Sequence, residues 1–117
     1  MTDLIAVVST GKGTWGQVSS LVNKEKWDKI HIITNDFGVE KFNKLKNMEF
    51  IVIDQNKSVL ELKEDILKGL KNKVSDDVGV NFISGTGKEH MALLAALIKL
   101  GSSFRLVVAE NEKVEEI

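Results

Sequence analysis

The sequence predicts a three-layer α/β domain built on a parallel sheet of five strands. Three observations carry this. Five short apolar runs rich in Val and Ile alternate with four amphipathic stretches along the chain. The runs are mostly apolar on both alternations, as strands covered by helices on both faces are. The length of 117 residues is one domain's worth, and 43% hydrophobic residues suffice for a core without staples. Residues 1–117 are therefore read as a single domain.

The strands in order are "LIAVVS" (4–9), "KIHIIT" (29–34), "FIVID" (50–54), "VGVNFIS" (78–84) and "SFRLVVA" (103–109). The first helix opens at Thr14-x-x-Gln17, a capping box in which a hydroxyl and a carboxylate or amide three residues on each satisfy a free backbone N–H. The second covers about 36–46 and takes Asn35 or Asp36 as its cap. The third opens at Ser58-x-x-Glu61 and carries an apolar stripe of Val59, Leu62, Ile66 and Leu70. The fourth opens at Thr86-x-x-Glu89 and stops before Gly101, a natural residue past a helix end. The tail "ENEKVEEI" (110–117) is acidic and reads as a solvated terminus.

Strictly alternating strands and helices predict right-handed crossovers and the strand order 3-2-1-4-5. The order then reverses between the first and fourth strands. Ligands of open α/β sheets bind at that crevice, outside the carboxyl ends of the strands. Two glycine-rich loops leave these two strands and face each other across it. The first offers Ser9, Thr10, Gly11, Lys12, Gly13, Thr14 and Trp15; the second offers Ser84, Gly85, Thr86, Gly87, Lys88 and His90.

Composition narrows the chemistry. There is no Cys, which excludes disulfides, thiolate metal sites and thiol nucleophiles and fits a reducing cytoplasm. Two separated His add no metal site. The N-terminus lacks a basic segment and a long apolar run, so neither a signal peptide nor a membrane span is expected. A net charge of −1 gives no general attraction to nucleic acid, so direct DNA binding is not expected and any anion site must be local.

Gly11-Lys12-Gly13-Thr14-Trp15-Gly16 matches G-x-G-x-x-G, and Asp36 stands where a ribose-binding acid would. Against a redox dinucleotide site, Ser9 and Thr10 separate the strand from the first Gly, Trp15 crowds a phosphate approach, and no room remains for a substrate domain. A Walker A loop fails at both places: Phe82 and Ala6 stand where its first Gly belongs, and Glu89 and Gly13 where its Ser or Thr belongs. What remains is a pair of helix N-termini with Gly, hydroxyls and one Lys each, which suits a ligand carrying several phosphates. Ordinary tight turns with solvated lysines are the plain alternative.

The stretch "VNFISGTGKEHMALLAALIKLG" (80–101) resembles the signature segment of CARF domains, the CRISPR-associated Rossmann-fold sensors. Asn81 matches that family's strand residue, "SGTGK" (84–88) its loop, Met91 its Met, and "ALLAAL" (92–97) its small-residue helix. The loop reads Ser-Gly-Thr-Gly-Lys where the family has Thr-Gly-Gly-Thr-Lys. The resemblance implies a Rossmann-like, stand-alone sensor of cyclic oligoadenylate in type III CRISPR immunity, acting alone or on a separate effector protein. A ring nuclease that degrades this messenger, or a binding module for another nucleotide such as NAD, are the alternatives.

The helix segment "MALLAALI" (91–98) is apolar nearly all round, more than one sheet contact needs, and predicts a homodimer through this helix. If there is turnover it would be metal-independent, with no cofactor. Lys88 would stabilise charge, Ser9, Thr10 or Ser84 would position the ligand, and His90 would move a proton. His90 reads equally as a solvent or interface residue, Glu89 as the acid of the capping box, and His31 as a packed strand residue. Trp15 either stacks on adenine or packs the first helix on the sheet beside Val18. Trp27 reads as a cap on the core, and Arg105 as a solvent-facing residue of an edge strand.

Overall fold

The structure, a computed structural model, describes residues 2–9 and 12–117, and of Lys12 the backbone alone. Thr10, Gly11 and the Lys12 side chain, all expected at the site, lie outside the described residues. The elements are β1 (Asp3–Val8), a 3₁₀ turn (Lys12–Thr14), α1 (Trp15–Lys24), β2 (Ile30–Thr34), α2 (Asp36–Lys41), β3 (Met48–Val52), α3 (Val59–Leu70), β4 (Val78–Asn81), α4 (Gly87–Leu100), β5 (Phe104–Glu110) and β6 (Lys113–Glu116). The sheet order is β3-β2-β1-β4-β5-β6.

The first five strands are parallel and stand in the expected order, roughly Rossmann-like. The sixth corrects the five-stranded expectation and makes the sheet mixed, because β6 runs antiparallel to β5. The acidic tail thus contains a strand, although most of its residues are exposed as expected. Asn111 and Glu112 turn the chain with φ of 54° and 60°, the pair of left-handed residues of a type I′ two-residue hairpin. Val114 then packs against the core on the α1 side while its charged neighbours face out. Arg105 is therefore not on an edge. It pairs with Asp77 at 3.2 Å and with Glu116 of β6 at 3.0 Å.

Two apolar clusters lie on opposite faces of the sheet. Leu4, Ala6, Val8, Ile30 and Ile32 pack with Val18, Leu21 and Val22 of α1 and with Trp15, Trp27 and Phe42. Ile5, Val7, Ile33, Val78 and Val80 pack with Leu62, Ile66 and Leu70 of α3 and with Ala92, Leu93, Ala96 and Leu97 of α4. Alternation along β1 sends successive side chains to opposite faces, so one strand feeds both cores. Trp27 is buried as expected, and its Nε1 donates to the Leu21 carbonyl at 3.0 Å.

Helix starts follow the local code in three of four cases. Ser58 with Glu61 and Thr86 with Glu89 form reciprocal capping boxes, and Asn35 Oδ1 accepts from Gly38 N–H. At α1 the expected box does not form: the 3₁₀ turn leaves Thr14 at φ −100°, ψ −3°, a helical conformation from which it makes no side-chain cap bond. α2 is six residues long, not the eleven or so expected, because the chain turns extended at Phe42 to bury that ring. β4 ends at Asn81, three residues early, for a reason that belongs to the site. No helix of the described residues is long and apolar enough to cross a membrane.

Candidate functional site

The carboxyl ends of β1 and β4 are hydrogen-bonded neighbours, with Ala6 opposite Asn81. Beyond that point β1 continues through Val8 while β4 stops. Asn81 stops it: its Nδ2 donates to the Val107 carbonyl at 2.8 Å and its Oδ1 accepts from Ile83 N–H at 3.0 Å. A side-chain amide thus replaces the ladder between β4 and β5 and turns residues 82–86 back over β1. Gly85 makes the turn possible. Its φ is +101°, and a Cβ there would stand 2.6 Å from Val7 Cγ1 and 3.0 Å from Glu89 Oε1.

The two loops do meet, and Glu89 joins them. Its carboxylate is 2% exposed. Oε1 accepts from Ser9 Oγ at 2.6 Å and from Thr86 N–H at 2.8 Å; Oε2 accepts from Gln55 Nε2 at 3.4 Å. Carboxylate oxygens taken away from water need hydrogen-bond donors of this kind in its place. The capping-box role expected of Glu89 is present, and Ser9 and Gln55 add partners that local sequence does not reveal.

Gln55 is the residue that sequence reasoning missed. It follows β3, so it stands at the same carboxyl edge. Asn35 Nδ2 donates to Gln55 Oε1 at 2.9 Å, and Lys88 Nζ donates to the Gln55 carbonyl at 2.9 Å. Three strand ends are thereby tied to the first turn of α4.

The expected contact residues divide by exposure. Ser9 and Ser84 are 0% and 1% exposed, and the Ser84 hydroxyl has no hydrogen-bond partner among the described residues. Gly13, Thr86 and Gly87 are exposed, whereas Thr14, Gly85, Lys88 and His90 are half-buried. Trp15 is buried against Phe42 and Phe37, at centroid separations of 6.0 and 5.7 Å, so its ring belongs to the packing alternative. His90 is turned toward the loop: its Nε2 lies 2.7 Å from the Ser84 carbonyl, and its ring lies beside Phe82. A carbonyl can only accept, so Nε2 carries the proton. His31 is a packed strand residue, fully buried, with Nε2 3.5 Å from Asp3 Oδ2. Among the described residues no three His, Cys, Asp or Glu group together as metal ligands.

The order of strands and this junction define a Rossmann-like α/β protein with its polar residues gathered at the switch point of the sheet. No family model matches the chain, and no curated protein matches its sequence.

Proposed function

We propose that the chain is a ligand-binding regulatory domain that takes a phosphorylated nucleotide at the carboxyl ends of β1 and β4. One observation supports this above the others. The strands flanking the switch point each lead to a helix start, and Ser9 and Glu89 bond the two connections together. Exposed Gly87 and half-buried Lys88 then offer backbone N–H groups and a cation on one side, with exposed Gly13 on the other.

Cyclic oligoadenylate, in a type III CRISPR context, is the ligand that the resemblance to CARF domains implies. The domain acts as a cytoplasmic homodimer through the outer face of α4, where Met91 and Ile98 are 64% and 65% exposed. Pairing there brings two copies of the α4 start toward one ligand. The reading is of a sensor: Ser9 and Ser84 are buried, and His90 is bonded to the Ser84 carbonyl.

Calorimetric titration with cyclic tetra-adenylate, cyclic hexa-adenylate, NAD and ATP tests this, with Lys88→Ala beside the wild type. The expected result is binding of a cyclic adenylate at one ring per two chains, weakened in the variant, with the ligand recovered intact. Recovery of cleaved ligand makes the protein a phosphodiesterase. Binding of NAD or ATP alone moves it to another nucleotide, and no binding at all removes the proposal.

A further inference from the structure

The connection between β3 and α3 is fastened to the start of α4 through Gln55. Its side chain accepts from Asn35 Nδ2 at 2.9 Å and donates to Glu89 Oε2 at 3.4 Å. Its carbonyl accepts from Lys88 Nζ at 2.9 Å. Asp54 and Asn56 on either side are exposed while Gln55 is half-buried, so these bonds fix a segment that otherwise lies at the surface. Within the segment, Asn56 N–H donates to Asp54 Oδ1 at 3.0 Å, and Lys57 N–H donates to the Asp54 carbonyl at 3.1 Å.

The three bonds differ in kind. Asn35 and Glu89 hold the side-chain amide of Gln55, whereas Lys88 holds its backbone. Lys88 is the second residue of α4, the helix that leaves β4, yet its ammonium is engaged at the end of β3. A backbone carbonyl is a neutral acceptor. A phosphate is a charged one, and attraction between opposite charges then adds to the hydrogen bond. The carbonyl can turn to water when it is let go, because its neighbours are exposed.

We infer that the bond between Lys88 and the Gln55 carbonyl is a clasp that ligand binding opens. In the free chain it holds residues 54–57 against the start of α4. An anion bound at that start draws the ammonium to itself. The segment is then left on its side-chain bonds, of which the one to Glu89 is long. Occupation at the end of β4 is thereby reported at the start of α3. Opening the clasp opposes binding, so the clasp also lowers the affinity for the anion. The inference rests on the nucleotide-binding reading and adds to it the contact that senses occupation.

Amide exchange and chemical shifts of the full chain test it, with cyclic tetra-adenylate, cyclic hexa-adenylate and ATP as probes. Lys88→Met keeps the aliphatic stem and removes the ammonium. In the free chain it is expected to speed exchange of the Asn56 and Lys57 amides about fivefold, with β5 and β6 unchanged, as loss of one partly exposed hydrogen bond implies. Exchange equal to wild type, or faster throughout the chain, overturns the inference. In the wild type, a bound probe is expected to shift residues 86–88 and 54–57 together and to speed the same two amides. Gln55→Ala loosens the segment and is expected to bind that probe about threefold more tightly. Equal or weaker binding by this variant overturns the clasp. Probe shifts confined to residues 86–88 also overturn it and leave the nucleotide reading standing. No response to any probe at any amide sinks both.

Discussion

Ser9 Oγ donates to Glu89 Oε1 at 2.6 Å across eighty residues of sequence, and this buried bond fastens the end of β1 to the first turn of α4. The same oxygen serves Thr86 N–H, so the carboxylate is both cap and latch. Glu89→Ala leaves a buried hydroxyl and a helix N–H without acceptors and is expected to cost about 2–4 kcal/mol. Ser9→Ala removes only one donor and is expected to cost about 1 kcal/mol. Urea unfolding of both variants and their double checks this. Strictly additive losses show that the two side chains do not act together.

Gly85→Ala is expected to destabilise by about 2–3 kcal/mol, because the left-handed backbone and the contact with Val7 both oppose a Cβ. Thermal unfolding reads the loss. Amide shifts in residues 82–90 are expected to move while those of α3 stay, since only the loop over β1 must give way.

The outer face of α4 makes a separate prediction. Met91, Leu94 and Ile98 stand opposite the residues that bind α4 to the sheet, and none is buried within one chain. Met91→Lys with Ile98→Lys is expected to change the stability of a single chain by less than about 0.5 kcal/mol and to convert a sedimenting dimer to a monomer. A wild-type chain that sediments as a monomer removes the dimer from the proposed function.

The contact of Asp77 with Thr2 and with Arg105 of β5 is expected to make stability depend on pH. Thr2 donates to Asp77 at 2.5 Å and Arg105 pairs with it, and these hold the Asp77 carboxyl below the ordinary carboxylate range, the hydroxyl contributing most. A lowered folded-state pKa gives stability that is present above the unfolded value and lost as pH falls through the folded one. Asp77→Asn is expected to be less stable than wild type at neutral pH. The difference is expected to shrink below about pH 4. The group is exposed, so the effect is small and weaker at high salt. Acid titration of both proteins followed by circular dichroism reads the gap.

Much of this was legible because it is written locally. Ser58 with Glu61 and Thr86 with Glu89 sit three residues apart, so each box can be read without knowing the fold. Strand order followed from alternation and the rule for crossovers. Three things were not legible. Gln55 reaches the site through Asn35 and Glu89, which only the folded sheet brings near. The hairpin at 110–117 turns on Asn111 and Glu112 without a glycine, and its acidic composition imitates a solvated end. Burial of Ser9 and Ser84 depends on the loop folding back over Val7, a consequence of Asn81 bonding across to β5.

The central place of β1 has a consequence for how the chain assembles. β1 is synthesised first, yet its second neighbour, β4, comes only after β2, β3 and α3 have been made. During synthesis one edge of β1 waits unpaired, and the face bearing Ile5, Val7 and Ile33 waits for α3 and α4. Such long-range pairing is slow, and an open apolar edge invites association with other chains. The sheet can be completed only once β4 and α4 have been made, and the contact between Ser9 and Glu89 forms only with that closure.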